Sequence, residues 1–252
     1  MPNPTRRPSL LWAPNILTSA NLALGFFSIL LSLRAARLGL PPQAVDYAVA
    51  CWLILWATIF DVLDGKVAKL LHASSEFGLR LDTFADAVTF GLAPAVLIYA
   101  AFLRSSGLGA GAVLAAGAYF MSAAFRLARY NVQTTAAPRF GFVGVPTPTA
   151  AIITTTLFLS VRMAPWPAER VAGLLGLLAI AMVSPLRYPA LKGLKGRETV
   201  VVLLILLATL ALSIPYGTPR VVFALFSSFA LIWGWCWIPL RPYWVPGTSK
   251  ED

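Results

Sequence analysis

Residues 44–68 read AVDYAVACWLILWATIFDVLDGKVA, and no charged side chain interrupts the run from Tyr47 to Phe60. A helix needs about 20 mostly apolar residues to cross a bilayer core, and this stretch has that length. Comparable runs place further helices at about 15–38, 80–103, 109–130, 144–163, 169–188, 198–214 and 219–240, giving about eight spans along the chain. Backbone polar groups in lipid must be satisfied internally, which leaves helices or a closed barrel, and long unbroken apolar runs favour helices. The expected fold is therefore all-α, a polytopic membrane helical bundle. Of the 252 residues, 58% are hydrophobic and only 12% charged, with a mean hydropathy of +0.76, a balance outside that of a soluble globular domain. The apolar runs recur throughout, so a cleaved leader does not account for them. The first run has no small-residue cleavage pattern after it and reads as a retained helix.

The formal charge of +10 would suit nucleic acid, but basic residues flanking membrane helices are explained by topology and anionic headgroups, and no nucleic-acid partner is expected. With the amino terminus cytoplasmic, Arg34, Arg37, Arg104, Arg162, Arg170 and Arg220 fall outside and the larger basic set, including Arg6, Arg7, Lys66, Lys69, Arg80, Arg126 and Arg129, falls inside. This bias puts both termini on the cytoplasmic side of the cell (inner) membrane. Cys51 and Cys236 both sit in apolar segments and read as small hydrophobes, with no disulfide framework or zinc site. The Gly- and Lys-rich stretch from Leu191 to Arg197 is the expected boundary between a core, residues 1–190, and a carboxyl-terminal helix pair and tail, residues 191–252. Trp233, Trp235, Trp237 and Trp244 near the carboxyl end fit an interfacial aromatic belt.

Acidic residues are scarce, 10 in the chain, yet Asp61, Asp64, Glu76, Asp82 and Asp86 lie close together between long apolar helices. An aspartate at the centre of a membrane helix costs about 2.5–3.5 kcal/mol on insertion scales, so such a group demands a physical reason. Asp61 and Asp64 are spaced i, i+3 and Asp82 and Asp86 i, i+4, so each pair projects from one helix face, and the short link between the helices lets the faces meet. Carboxylates converging at 4–5 Å repel by roughly 3–4 kcal/mol per ionised pair at an effective dielectric of 20. Two divalent cations balance four such charges, and an all-oxygen ligand set suits Mg²⁺ or Mn²⁺ better than zinc. The alternative is that the aspartates cap helices or pair with Lys66, Lys69 and Arg80.

These residues resemble a known signature. The CDP-alcohol phosphatidyltransferase family carries D-x-x-D-G-x-x-A-R, about eight residues, then G-x-x-x-D-x-x-x-D. Asp61, Asp64, Gly65, Ala68, Gly78, Asp82 and Asp86 fill every fixed position except one, where Lys69 stands in place of arginine. The resemblance implies that Asp61 and Asp82 are shared by two metal ions, that Asp64 binds one, and that Asp86 binds the other and acts as general base. Gly65, Ala68, Lys69, Ser75 and Gly78 fall where the family meets the CDP-lipid. Lysine offers a point charge where arginine offers a planar fork, so Lys69 would hold the diphosphate less rigidly. Upstream, Pro14, Asn15, Ile16, Leu17, Thr18 and Asn21 resemble the family segment that reaches the nucleotide, and Asn15 or Thr18 could equally serve as a helix cap.

A second stretch, Ala124 to Asn131, and the run Gly144-Val145-Pro146-Thr147-Pro148 resemble the subgroup that makes phosphatidylserine. Arg126 and Arg129 share a helix face at i, i+3 and suit a phosphate or the serine carboxylate, with anchoring of a helix end as the plainer role. Asn131 and Arg187 join this candidate acceptor set, and Arg187 and Tyr188 are expected at the end of the sixth helix. The implied reaction transfers the phosphatidyl group of CDP-diacylglycerol to the hydroxyl of L-serine and releases CMP, at a site facing the cytoplasm. The resemblance also implies a homodimer packed through membrane helices. The rivals are the same chemistry with glycerol 3-phosphate or an inositol phosphate as acceptor, and a cation transporter with intramembrane carboxylates. His72, the single histidine, is read as a loop residue, and Glu76 as a partner for a local lysine.

Overall fold

The computed structural model describes residues 12–71, 75–136, 142–161, 167–185 and 187–188. Over these residues the chain is a helical bundle of α1 (Ala13–Arg37), α2 (Val45–Leu70), α3 (Glu76–Leu103), α4 (Ala110–Ala136), α5 (Thr147–Val161) and α6 (Ala168–Val183). Four segments, Pro14–Arg37, Val45–Ala68, Glu76–Leu103 and Ala110–Val132, are long and apolar enough to cross a membrane. α5 and α6 have 15 and 16 described residues. At 1.5 Å per residue each is about 22–24 Å long, shorter than a hydrocarbon core of about 30 Å. The two expected spans at 198–214 and 219–240, and the boundary at 191–197, lie outside the described residues.

α1 and α2 form the most extensive helix pair, and Ser28 of α1 donates to the Ala50 carbonyl of α2 at 2.9 Å. The interior gathers Tyr47 and Ile54 of α2, Phe90 and Leu97 of α3, Tyr119 of α4 and Phe158 of α5, all fully buried. Tyr47 reaches across to donate to the Ala100 carbonyl at 3.1 Å. Phe26, Phe27, Leu30 and Leu33 of α1 are exposed, as the outer face of a membrane helix is expected to be. Thr154, Thr155 and Thr156 of α5 are buried, and their hydroxyls donate to carbonyls one turn back at 2.8, 2.8 and 2.6 Å. Back-bonding of this kind satisfies hydroxyls where no water is available.

α3 begins four residues before the expected Arg80. Ser75 is its N-cap, accepting from the Gly78 amide at 2.9 Å, and a capped first turn is stable even with a glycine in it. Two stretches of α3 are wound as π-helix, Ala87–Leu92 and Tyr99–Leu103. Pro94 has no N–H to offer the Phe90 carbonyl one turn back, which releases that oxygen. Tyr119 of α4 takes it up, its hydroxyl donating to Phe90 O at 3.3 Å.

The expected starts and ends of the last two core helices shift for reasons of backbone chemistry. Gly144 has φ +81° and cannot open a helix, so α5 starts at Thr147 with Pro148 in its first turn. Pro185 forces Ser184 out of the helical region, to ψ 150°, and α6 stops at Val183. Arg187 and Tyr188 therefore lie in a two-residue strand, β2 (Arg187–Tyr188), antiparallel to β1 (Phe142–Val143), and not at a helix end. Phe142 faces Tyr188 and Val143 faces Arg187 in that pairing.

Candidate active site

The last turns of α2 and the first turns of α3 carry the four aspartates. Asp61, Asp64 and Asp82 each present a carboxylate oxygen, and these oxygens lie within 4.8 Å of one another. Asp86, one turn beyond Asp82, lies within electrostatic reach of Asp61, Asp64 and Asp82. Arg80, one of the cations expected as partners for the aspartates in the alternative reading, instead pairs with Glu76 one turn away at 2.6 Å, with both side chains exposed. Glu76 thus has an arginine partner where a lysine was expected.

The donors are carboxylate oxygens converging from two helices, which fits a hard divalent cation. A second observation agrees with that fit. Asp86 Oδ1 is buried and meets no hydrogen-bond partner among the described residues, a costly arrangement unless a further ligand uses the oxygen.

α1 supplies the third wall. Its N-cap is Trp12, with no side-chain capping bond, so neither Asn15 nor Thr18 caps the helix. Thr18 is 4% exposed, and its hydroxyl lies 2.7 Å from Asp64 Oδ2. Asn15 lies over the first turn of α3, where a Cβ on Gly78 would come within 2.9 Å of Asn15 Oδ1. Asn21, one turn below Thr18, is fully buried, and its carbonyl accepts from Thr89 of α3 at 3.1 Å. Gly25 continues this stripe, and a Cβ there would overlap Thr89 Oγ1. Small residues thus let α1 lie against the π-helical stretch that follows Asp86.

Gly65 is exposed, with open space around its Cα, and Ala68 is half-buried on the same helix. Lys69 is the penultimate residue of α2, and Ser75 is exposed at the cap of α3. His72 lies outside the described residues.

The carboxyl-terminal part of α4 divides the expected acceptor residues by task. Arg126 is 5% exposed, donates to Thr147 Oγ1 at 3.0 Å, and lies within electrostatic reach of Asp86. Arg129 points to the end of α6, donating to the carbonyls of Val183 at 3.0 Å and Met182 at 3.4 Å. Asn131 donates to Thr83 Oγ1 at 3.0 Å, which ties α4 to the residue after Asp82. Among the described side chains of the expected acceptor set, Arg126 lies within electrostatic reach of Asp86, and Asn131 is tied to the residue beside Asp82. Thr83 and Thr147, the partners of Asn131 and Arg126, carry no spacing signal of their own. Thr147 was visible only as part of a resembling run.

Residues 11–186 match the CDP-alcohol phosphatidyltransferase family. Over 225 residues the chain is 30% identical to a CDP-diacylglycerol–serine O-phosphatidyltransferase of Helicobacter pylori, covering 88% of this chain and 88% of that protein. Over 199 residues it is 30% identical to an archaetidylserine synthase of Methanothermobacter thermautotrophicus, covering 77% and 76% respectively. Over 155 residues it is 39% identical to a CDP-diacylglycerol–serine O-phosphatidyltransferase of Mycobacterium leprae, covering 59% of this chain and 49% of that protein.

Proposed function

The chain belongs to the CDP-alcohol phosphatidyltransferase family, matched over residues 11–186, and from that premise we propose that it transfers the phosphatidyl group of CDP-diacylglycerol to L-serine. The observation that carries the chemistry is the meeting of Asp61, Asp64 and Asp82 oxygens within 4.8 Å at the junction of α2 and α3. The choice of serine rests on the serine-named relatives, one of them aligned over 88% of this chain.

In this reading Asp61, Asp64, Asp82 and Asp86 would hold two divalent cations, Mg²⁺ or Mn²⁺. Such ions, when bound, neutralise the diphosphate and stabilise the attacking and leaving oxygens. Asp86 takes the proton from the serine hydroxyl as its oxygen bonds to the phosphorus of the phosphatidyl group. The bond from that phosphorus to the oxygen bridging to CMP breaks, and CMP leaves with the bonding electrons. Asn15, Gly65, Ala68, Lys69, Ser75 and Gly78 hold the CDP-lipid, and the open backbone at Gly65 gives a bulky headgroup room to approach α2. Arg126 meets the serine carboxylate, since a guanidinium suits a planar anion.

In this reading residues 1–190 form the core that holds the site. In this reading the protein lies in the cell (inner) membrane as a homodimer, with the aspartates at its cytoplasmic face. There Lys66, Arg80, Arg126 and Arg129 cluster at the same ends of the helices, in keeping with a cytoplasmic excess of basic residues.

The test is CMP release from CDP-diacylglycerol by the purified full-length protein with Mn²⁺ or Mg²⁺, offering serine, glycerol 3-phosphate or an inositol phosphate. The expected result is serine-dependent, metal-dependent release that Asp86→Asn abolishes. Release with another alcohol alone overturns the choice of serine, and no release with any of them overturns the transferase reading in favour of cation transport or lipid binding.

A further inference from the structure

We propose that Thr18 is a positioning residue for Asp64, orienting that carboxylate within the aspartate trio, and that its hydroxyl does not contact the nucleotide. The inference rests on the proposed metal-binding role of the aspartates and adds to it a residue from α1, a helix outside the D-x-x-D signature.

Three observations carry it. The Thr18 hydroxyl lies 2.7 Å from Asp64 Oδ2, across 46 positions of sequence. Both residues are buried, Thr18 at 4% and Asp64 at 5% exposure, so neither has water as a ready substitute partner. Thr18 also lies 3.0 Å from the Pro14 carbonyl, but its single proton can serve only one acceptor well. The shorter contact, to a charged oxygen, is the stronger of the two. Branching at Cβ restricts threonine to two main χ1 rotamers in a helix, and the one adopted here, beside the Pro14 carbonyl, directs the oxygen at Asp64. Asp64 is thereby anchored at one oxygen, and rotation of the carboxylate away from Asp61 and Asp82 is opposed.

A nucleotide contact by the same hydroxyl would require it to face a ligand-accessible surface, whereas it faces the adjacent helix. Asn15, one turn earlier, lies instead beside Gly78 in the first turn of α3. The two residues thus divide the segment's roles, with Asn15 directed to ligand and Thr18 to protein.

The experiment compares wild type, Thr18→Val and Thr18→Ser in full-length detergent-purified protein. Valine keeps the shape and removes the hydroxyl, and serine restores it. Mn²⁺ binding is titrated without substrate by the electron paramagnetic resonance signal of free Mn²⁺, and the KM for CDP-diacylglycerol is measured at saturating Mn²⁺. Loss of a hydrogen bond to a metal ligand typically weakens metal binding about tenfold or more. The expected result is that weakening in Thr18→Val, recovery in Thr18→Ser, and an unchanged KM for the lipid donor. Equal Mn²⁺ affinity in Thr18→Val and wild type with a raised KM overturns the proposal and returns Thr18 to the nucleotide. Weakened binding that serine does not restore overturns it too, because the hydroxyl is then not the cause. Absence of Mn²⁺ binding in wild type itself sinks the metal role of the aspartates, a result distinct from either of these.

Discussion

Arg129 of α4 donates from Nη1 to the carbonyl oxygen of Val183, 3.0 Å away at the end of α6. The last carbonyls of a helix have no partners within it and carry its negative dipole end, so a cation there is favourable. At α6 the provision extends to four carbonyls. Ile180 O accepts from the Ser184 amide at 2.9 Å and Ala181 O from the Val145 amide at 3.1 Å, while Arg129 serves Met182 and Val183. The side chain closes a helix end, the plainer of the two roles that its sequence suggested, one turn from the buried Arg126.

Replacing Arg129 with methionine is therefore expected to reduce stability. Hydrogen bonds from a charged donor are each worth roughly 1.5–3 kcal/mol, and the expected loss is about 2 kcal/mol once rearrangement around the helix end is allowed for. Lysine keeps the charge without the fork and should recover part of it. Thermal unfolding followed by tryptophan fluorescence measures this. A raised serine KM in Arg129→Met with undiminished stability would instead make Arg129 a substrate ligand.

Gly144 presses on the same helix end. Its φ of +81° lies in the left-handed region, and a Cβ would overlap the Met182 carbonyl oxygen and stand 3.2 Å from Arg129 Nη2. The backbone conformation alone costs a non-glycine residue about 1–2 kcal/mol, and the obstacle is rigid backbone. Gly144→Ala is expected to destabilise by more than about 2 kcal/mol. It should also reduce turnover, because the loop carries Thr147, the partner of Arg126. Parallel unfolding and CMP-release assays check both effects, and a stable, fully active variant would contradict the packing described.

What could be read from the sequence followed the physics of each feature. The limits of α2 fell within two residues of expectation because an apolar run ending in a D-x-x-D pattern is a local signal. α3 starts four residues before the expected position, because the turn that Ser75 caps is polar, with Glu76 and Arg80, and carries little of the apolar signal. Ser184-Pro185 marks the end of α6 by rule, yet the apolar run carried the expected helix past it. The convergence of the aspartates was legible from their spacing. The targets of Arg129 were not, because backbone carbonyls carry no sequence signature, and neither was the Thr18–Asp64 contact, which depends on how two helices lie together.

The interlock of α1 with the π-helical stretch gives a third expectation. A Cβ on Gly25 would overlap Thr89 Oγ1 and lie 2.8 Å from Thr89 Cα, so α1 would have to move away from α3. Overpacking of this kind typically costs 1–3 kcal/mol. Because Asp86 lies one turn from Thr89, Gly25→Ala should also lower kcat. Gly117→Ala provides the comparison, since its added methyl would meet nothing within 4 Å, and wild-type behaviour is expected there. Equal effects of the two substitutions would count against a specific role for the α1–α3 contact.

Gly78 offers the cleanest separation of substrate binding from folding. It fills a fixed position of the signature that the chain resembles, and here it lies in the first turn of α3 beside Asn15. An added Cβ would stand 2.9 Å from Asn15 Oδ1 and 3.1 Å from Ser75 Oγ, both ends of side chains that can swing aside. The strain is therefore relieved by displacing those groups; alanine is a better helix former than glycine by about 1 kcal/mol, which offsets the roughly 1 kcal/mol lost if Ser75 Oγ leaves the Gly78 amide. Gly78→Ala should unfold no earlier than wild type. If Asn15 and Ser75 hold the CDP-lipid, their displacement should raise the KM for CDP-diacylglycerol about tenfold while leaving the KM for serine unchanged, a loss of about 1.4 kcal/mol in donor binding. Steady-state CMP release with each substrate varied in turn reads the two constants separately. An unchanged donor KM would mean that the group displaced by the new methyl does not touch the nucleotide.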